Sequence, residues 1–334
     1  RGQPPGRQAL ALSVTATPTA VSRGEFTGTA LTNVSGPTVG VAGNGVVALT
    51  DSTAGGSDQW LRVGSASDYV PLRTAEAPLP ARGEFRDEEG VPPRAVPAPP
   101  APLAPPIVPG FADVTATRST VTGSALTAAG SVSNLTLVDA TWNLTANSNI
   151  TNLINDPSLI DFAAPQAGVF KTLTVMNYSG DGTIALNTVL GADDSPSDRL
   201  VVDGGTATGP SLIAIKPAGG NGAVTVANGI LLVDAINGAT TTTDAFALSG
   251  RVVGGPYEYT LQRSSVDASA PQSWFLRSTI DCSAPGAPVP PCPEPPVPPP
   301  VPPPVPPPEP PPVPPPEPPP GPPPAPPPEP PPPP

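Results

Sequence analysis

The side chains most capable of chemistry lie in one short stretch, which contains Asp193, Asp194, Asp198 and Arg199. Carboxylates beside an arginine could cleave a polysaccharide, and oxygen ligands in an Asp-rich loop could hold calcium. Serine, proline and glycine surround these residues, however, and that composition is typical of a solvated turn. The sequence lacks the repeated nonapeptide that lines calcium-binding β-rolls. We therefore expect a solvated turn here, with neither a catalytic site nor a metal site.

Nucleophilic catalysis would lack its usual base, because the chain of 334 residues contains no histidine. Its lysines are Lys171 and Lys216, and an activated serine or cysteine needs a neighbouring base. The cysteines are Cys282 and Cys292, whose spacing permits a small disulfide loop in an oxidising compartment; two free thiols are the alternative. The sequence therefore predicts that the chain is not an enzyme and binds no cofactor.

The net charge of −12 argues against a nucleic-acid partner. The 15 Lys and Arg residues are dispersed, so no basic face could neutralise a phosphate backbone. No run of about 18 apolar residues is present, and we therefore expect no transmembrane helix. The chain begins with Arg1 rather than Met, from which we expect a fragment or an incomplete reading frame.

Short strands, in which side chains alternate between two faces, must position these residues. In Val132–Val138 the alternation places Leu135 and Leu137 on one face of a half-buried strand. Similar segments recur between Gly, Asn and Asp turns: Phe170–Val175, Thr183–Asn187, Leu212–Ile215, Ala223–Val226 and Gly229–Val233. Such strands could form a sandwich, a barrel or a β-solenoid. Small polar turns, uniform strand length and recurring Asn and Thr, which can stack in side-chain ladders, favour the solenoid.

Several asparagines in these strands also match the Asn-x-Ser/Thr pattern for N-glycosylation. They are Asn134, Asn143, Asn149 and Asn177. We attribute these matches to the abundance of Asn and Thr in the repeated strands.

Aromatic residues concentrate near the end of the foldable region. The last rung of a solenoid leaves an open sheet edge and an exposed core face. Tyr257, Tyr259, Trp274 and Phe275 lie close together in a chain whose aromatic content is 4%. We predict that they cap the solenoid, with each ring covering apolar surface that would otherwise be wet.

Composition divides the chain into successive parts. Residues 1–83 are rich in Gly, Thr and Ser and predict a partial β-helix or a weakly ordered segment. Residues 84–110 are charged and Pro-rich and predict a linker or long loop, because proline cannot donate to a sheet. Residues 111–281 predict the solenoid itself. Residues 282–334, mostly Xaa-Pro-Pro-Pro repeats, predict a disordered or polyproline II spacer.

Several ordered motifs in residues 135–281 resemble the C-terminal passenger region of pertactin-like autotransporters. They are Asn187–Gly191, Ser195–Gly209, Val233–Gly238, Phe246–Tyr259 and Trp274–Ser278. The resemblance implies an all-β fold, a right-handed single-stranded parallel β-helix with a C-terminal cap. It also implies export through the periplasm to the bacterial cell surface, the outer membrane or the medium. In this family the last rungs, here residues 168–281, act as an autochaperone that folds first and templates the rest.

The resemblance further implies two partners for the protein. One is its own outer-membrane β-barrel translocator, which we expect to be absent from a chain that stops at Pro334. The other is a host-cell surface receptor. We interpret the chain as a non-enzymatic passenger segment of adhesin or virulence type. The alternative is the carrier stalk of a secreted enzyme whose catalytic N-terminal part is absent. The ordered motifs disfavour a third interpretation, a proline-rich structural wall protein.

Overall fold

The structure, a computed structural model, describes residues 12–13, 20–56, 58–65, 108–280 and 321. The chain divides into two units, Arg1–Cys292 and Pro293–Pro334, and the strands that are described lie in the first. Cys282, Cys292 and the predicted spacer 282–334, apart from Gly321, lie outside the described residues. Among the described residues, none belongs to a helix with the length and apolarity that a membrane crossing needs.

The described residues form 25 strands. From the N-terminus to residue 144 they are β1 (Leu12–Ser13), β2 (Ser22–Thr27), β3 (Ala30–Thr32), β4 (Val39–Ala42), β5 (Asn44–Thr50), β6 (Thr53–Gly55), β7 (Gln59–Gly64), β8 (Phe111–Thr117), β9 (Thr120–Thr122), β10 (Ser124–Thr127), β11 (Val132–Val138) and β12 (Thr141–Leu144). They continue as β13 (Ser148–Asp156), β14 (Leu159–Phe162), β15 (Thr172–Gly180), β16 (Thr183–Thr188), β17 (Arg199–Asp203), β18 (Thr206–Ala207), β19 (Ser211–Pro217), β20 (Ile230–Ile236), β21 (Thr240–Thr241), β22 (Phe246–Leu248), β23 (Val252–Gly254), β24 (Tyr257–Arg263) and β25 (Trp274–Ile280).

These strands form three sheets along one axis. Sheet A is β1-β4-β7-β10, and sheet C is β22-β19-β16-β14-β12-β9-β6-β3. Sheet B follows the order β2-β5-β8-β11-β13-β15-β17-β20-β25-β24-β23, with β18 and β21 beside it. From β2 to β20 each turn of the chain adds one parallel strand to sheet B and then one to sheet C. This arrangement is a parallel β-helix, which confirms the predicted fold class; its handedness stays a prediction.

Period-two alternation places every second side chain inside the helix, where equivalent residues of successive rungs stack. One interior column of sheet B consists of Val47, Val114, Leu135, Leu153, Tyr178 and Ala207. The facing column of sheet C consists of Ala54, Val121, Trp142, Ile160, Ile184, Ile213 and Leu248. The buried apolar side chains from Val39 to Leu276 thus form one continuous core. Each rung is stable because its neighbours cover this interior.

The N-terminal rungs belong to the same stack. β5 pairs with β8 over its whole length, although the serines at their corners, Ser52 and Ser119, are 67 residues apart in the chain. Within the predicted segment 1–83, the described residues from 20 to 65 form strands of all three sheets. Of the predicted linker 84–110, the structure describes residues 108–110 alone. Pairing in register therefore continues directly across this long sequence separation.

Asparagine side chains form a ladder on the outer face of sheet B, as the sequence predicts for its recurring asparagines. Asn134 donates to Asp113 at 2.6 Å, Asn152 to Asn134 at 2.7 Å and Asn177 to Asn152 at 2.7 Å. The backbone N–H of Thr206 then donates to Asn177 at 3.0 Å. Every amide points the same way, so the ladder ends on the Asp113 carboxylate. A side-chain amide that loses its hydrogen-bond partner in such a ladder lowers the stability of the fold.

All four asparagines of the glycosylation pattern use their side-chain amides within the stack. Asn134 and Asn177 belong to the ladder. Asn143 donates to the Thr122 hydroxyl at 3.2 Å, and Asn149 donates to the Thr127 carbonyl at 2.8 Å. The structure therefore supports the structural interpretation of these motifs.

The corner between sheets B and C carries charged side chains in successive rungs. Asp51 and Arg118 form an exposed bidentate ion pair at 2.7 and 2.8 Å. Farther along, the carboxyl groups of Asp156 and Asp181 share a hydrogen bond, which raises the pKa of Asp156, and the neighbouring negative charge of Asp181 raises it further. Two neighbouring carboxyl groups disfavour the state in which both are ionised. The corner is therefore destabilised when both groups are ionised.

We expect Asn152→Val to lower the free energy of unfolding by about 1–2 kcal/mol, because it leaves the Asn134 oxygen and the Asn177 amide without partners. Thermal and urea unfolding followed by circular dichroism measure the change. Thr136→Val, on the same outward face of the adjacent strand, is the matched control and should shift stability by less than about 0.5 kcal/mol. Equal effects of the two variants would contradict a stabilising ladder.

Asp181→Asn should raise the melting temperature at pH 7 and leave it nearly unchanged at pH 3. The folded-state pKa of Asp156 is raised above its usual 3.8, so the stability that its protonated form contributes to the fold is fully present below pH 3.8. That contribution is lost as the pH rises through the folded-state pKa. Melting curves between pH 3 and pH 7 measure this effect. Asp244→Asn, which removes an exposed charge elsewhere, is the control; the same pH profile in both variants would refute local repulsion.

Candidate functional site: the C-terminal cap and the Asp198 cluster

The parallel stack ends in an antiparallel cap formed by β23, β24 and β25. β20 is the last parallel strand of sheet B, and it pairs antiparallel with β25, with Ile230 opposite Leu276. β25 pairs antiparallel with β24 over seven residues, and β24 pairs with the short β23. The last long strand edge of the solenoid is thereby covered, and a strand of three residues takes its place at the end of the sheet. Short edge strands resist further strand addition.

Tyr259 attaches the cap to the loops of the preceding rungs. Its side chain is 1% exposed. Its hydroxyl lies 2.8 Å from the carbonyl oxygen of Gly191 and accepts the N–H of Ala223 at 3.0 Å. Burial raises the pKa of Tyr259, although its hydrogen bond to Ala223 acts in the opposite direction. A buried hydroxyl with these partners holds β24 in a single position on the rungs.

Trp274 connects the cap to the core through a row of aromatic rings. Its ring meets Phe246 edge to face, with centroids 5.6 Å apart, and Phe246 stacks on Tyr178 at 5.8 Å. The indole N–H of Trp274 donates to the Thr241 hydroxyl at 3.1 Å. Burial raises the pKa of Tyr178, whose hydroxyl lies 2.9 Å from that of Ser211. The row thus links β25 to β22 and to β15, in the middle of the stack.

Tyr257 and Phe275, the other two predicted cap residues, lie in β24 and β25 but have different surroundings from Tyr259 and Trp274. Tyr257 is half-buried against the core beside Gly222, where an added Cβ would lie 2.9 Å from the tyrosine ring. Phe275 is buried on the opposite face of β25 from Trp274, because adjacent residues of a strand alternate. The guanidinium of Arg277 lies over its ring, 5.8 Å from the centroid. The four aromatic residues therefore cover both faces of the cap and do not form one cluster.

Asp198, Lys171 and Asn187 form a second feature, which we call the Asp198 cluster. The Asp198 side chain is 0% exposed. Its Oδ1 accepts the backbone N–H of Lys171 at 2.7 Å, and its Oδ2 accepts the backbone N–H of Asn187 at 2.9 Å. The Asn187 side-chain amide donates to the same Oδ2 at 2.6 Å. One carboxylate thus joins the start of β15, the end of β16 and the start of β17.

The lysines and Asn187 also converge on the carbonyl groups that follow β14. Lys171 Nζ donates to the carbonyl oxygens of Ala163 and Ala164 at 2.6 and 3.1 Å. Asn187 donates to Phe162 and Ala163 at 2.8 and 3.0 Å. Lys216 donates to Phe162 at 2.5 Å and also contacts the Asp161 carboxylate. Both lysines therefore satisfy backbone acceptors, which a buried corner of a rung needs.

The structure corrects part of the prediction of a solvated acidic turn: Asp193 and Asp194 lie in a turn, where Asp194 is exposed, but the other two residues do not. Asp198 is buried and Arg199 begins β17, so neither belongs to such a turn. Asp193 lies in a loop, where its carboxylate accepts the N–H groups of Val226, Ala227 and Gly229 at 2.7 to 3.0 Å. The described residues contain no group of three or more His, Cys, Asp or Glu side chains that could hold a metal ion. The carboxylates of Asp193 and Asp198 thus hold backbone N–H groups of other segments in place.

The predicted strand at Ala223–Val226 is also wrong. This segment is a loop between β19 and β20, and Val226 is 81% exposed. Its N–H groups donate to side chains, since Thr225 bonds Ser278 at 2.8 Å and Val226 bonds Asp193. Partial burial raises the pKa of Asp193, but the backbone N–H groups outweigh this effect, and the pKa is lowered overall. The alternating sequence was misleading because the N–H groups of this segment bond to side chains and not to a neighbouring strand.

Sequence reasoning missed the buried role of Lys171, Asn187 and Asp198. Each residue is polar and adjoins a turn, so the usual interpretation as a solvated loop residue applies to all three. The available signal was the position of Asp198, two residues before the apolar segment Leu200–Val202. A carboxylate one residue before a buried strand is well placed to accept a backbone N–H of the neighbouring rung.

Comparison with known proteins identifies a region that holds the Asp198 cluster and the beginning of the cap. Residues 148–261 match the family Autochaperone Domain Type 1. The autotransporter adhesin AIDA-I of Escherichia coli is 35% identical over 115 residues, which are 34% of this chain and 9% of that protein. The adhesin BmaC autotransporter of Brucella suis biovar 1 is 39% identical over 118 residues, 33% of this chain and 3% of that protein.

The pertactin autotransporter of Bordetella bronchiseptica is 35% identical over 160 residues, 47% of this chain and 16% of that protein. The chain therefore spans a small part of the length of these relatives. Autotransporters of this kind are outer-membrane, surface-exposed or secreted proteins. Residues 148–261 therefore contain an autochaperone domain, and this part of the chain is similar to pertactin-like autotransporters, which supports an autotransporter passenger with an autochaperone region.

Proposed function

We propose that this segment is a non-enzymatic part of an adhesin-type passenger, and that its C-terminal rungs template folding of the β-helix during outer-membrane secretion. The family match over residues 148–261 supports the autochaperone part of this proposal. Relatives named as adhesins support the adhesive part. In the whole protein the partners would be its own outer-membrane translocator and a host-cell surface receptor.

The antiparallel cap is the observation that carries the templating proposal. It closes the stack at β20, where Ile230 faces Leu276, and it leaves the parallel edges on the N-terminal side available for new rungs. A first rung is costly, because loops must close before any neighbour covers its interior. A rung added to an existing template gains backbone pairing and core contacts at once. Folding should therefore begin at the capped end.

Folding in this direction has a consequence for secretion. If the C-terminal rungs form first outside the cell, each added rung prevents that length of chain from returning. Growth of the β-helix could then bias outward movement without nucleotide hydrolysis. The chain from β20 back to β2 supplies eight parallel strands of sheet B for such stepwise addition.

We expect Trp274→Leu to slow refolding of the full chain about tenfold or more, because it removes the contact with Phe246 that joins the cap to the core. Refolding from denaturant with pulsed hydrogen exchange measures both the rate and the order in which rungs become protected. The autochaperone region should gain protection before residues 20–65. Trp60→Leu is the matched control, since Trp60 is equally buried but lies in an N-terminal rung.

The control variant should mainly speed unfolding, because its contacts would form after the rate-limiting step. Equal slowing of refolding by Trp60→Leu would contradict a C-terminal template. Earlier protection of residues 20–65 than of residues 148–261 would contradict it as well.

A further inference from the structure

We propose that the Asp198 cluster is a register pin, which sets the pairing register of the rungs inside the autochaperone region. The inference deepens the proposed function and rests on it, because a template is useful only if its own strands are aligned. Asp198, Asn187 and Lys171 act here as positioning residues. Their contacts specify one alignment of β15, β16 and β17 among several that the apolar pattern permits.

The apolar pattern alone does not exclude a slip of two residues. In the native register Leu173 faces Leu200 and Val175 faces Val202. A slip of β17 by two residues would place Val175 opposite Leu200, which still pairs two buried aliphatic side chains. Inward and outward faces are preserved at this pair, since side chains repeat every two residues along a strand. Val202 would move opposite Asn177 of the outer ladder, so the apolar pattern disfavours the slip at one end of the strand only. A further interaction is needed to separate the two alignments at the start of β17.

The Asp198 carboxylate makes that distinction through hydrogen bonds that exist in one register. Natively it accepts the backbone N–H of Lys171, at the position directly before β15. In the slipped register Lys171 would face Pro196, whose side chain has no acceptor. The carboxylate of Asp198 would then face Leu173 inside the core. A buried charge and a buried N–H group would both lose their partners, which is strongly unfavourable.

The cluster also connects the register of sheet B to that of sheet C. Asn187 ends β16 of sheet C and bonds Asp198 through both its backbone and its side chain. The same side chain reaches the carbonyl groups of Phe162 and Ala163 after β14. A slip in either sheet would break these bonds together. In some proteins buried polar groups specify one alignment even where apolar replacements are equally stable.

Disulfide capture in the full chain reports the register directly. Both native cysteines are first replaced, by Cys282→Ser and Cys292→Ser. Thr174→Cys with Val201→Cys gives the native reporter, because these residues are opposite each other on neighbouring strands. Thr174→Cys with Arg199→Cys gives the slipped reporter. Neighbouring strands are about 4.8 Å apart, so the native pair can form a disulfide and a pair displaced by two residues cannot.

Asp198→Leu is expected to raise the ratio of slipped to native disulfide at least tenfold after refolding under oxidising conditions. Val202→Ala is the matched control, because it destabilises the same strand by removing buried apolar volume and leaves the cluster intact. This control should leave the ratio unchanged. Capture of the native disulfide alone in Asp198→Leu, or an equal rise in Val202→Ala, would overturn the proposal.

If Asp198→Leu does not fold, Asp198→Asn decides the question. The amide keeps the size of the side chain and one acceptor, and it should raise the ratio about threefold or more over the Val202→Ala control. No rise would overturn the register pin. The order of rung protection tests the template separately: a loss of register with unchanged folding order supports the pin, whatever the outcome for templating.

Discussion

The parallel backbone pairing between successive rungs is the constraint on which the rest of this structure depends. A single rung has two or three short strands and no interior that it could bury by itself. The column from Val47 through Leu135 and Leu153 to Ala207 becomes a core only when the rungs stack in register. Stability is therefore a property of neighbouring pairs, and alignment and termination of the stack become as important as hydrophobicity.

Termination is achieved by a change of strand direction. The sheet continues from β20 into β25 and β24, but these strands run antiparallel. Tyr259 and Trp274 attach this cap to different parts of the stack, one to the loops near Gly191 and the other to the aromatic row that reaches Tyr178. The end of the solenoid is consequently bonded to rungs well inside it. That arrangement suits the templating role proposed above, in which this region is stable before the rest of the β-helix forms.

Alignment depends on polar groups more than on the apolar core. The outer ladder from Asp113 to Thr206 and the buried Asp198 cluster both join residues of successive rungs through side-chain hydrogen bonds. Such bonds are directional and have short ranges, whereas apolar contacts tolerate exchange among Leu, Ile and Val. The two systems therefore complement each other: the apolar columns supply the free energy of stacking, and the polar bonds select one register. Gly180 illustrates the same requirement for close alignment, because an added Cβ there would lie 2.1 Å from the Asn155 carbonyl oxygen.

The sequence by itself determined the class of fold, the alternation of Leu135 and Leu137, the stacking of asparagines and the presence of aromatic residues at the end of the solenoid. These features depend on local periodicity and composition, which are visible in a single chain. It did not determine the burial of Asp198, the division of the four aromatic residues between two faces or the loop at Ala223–Val226. Those outcomes depend on which backbone N–H group of a distant rung comes to face each side chain. Only the tertiary structure decided them, because residues that are far apart in sequence become neighbours when the rungs stack.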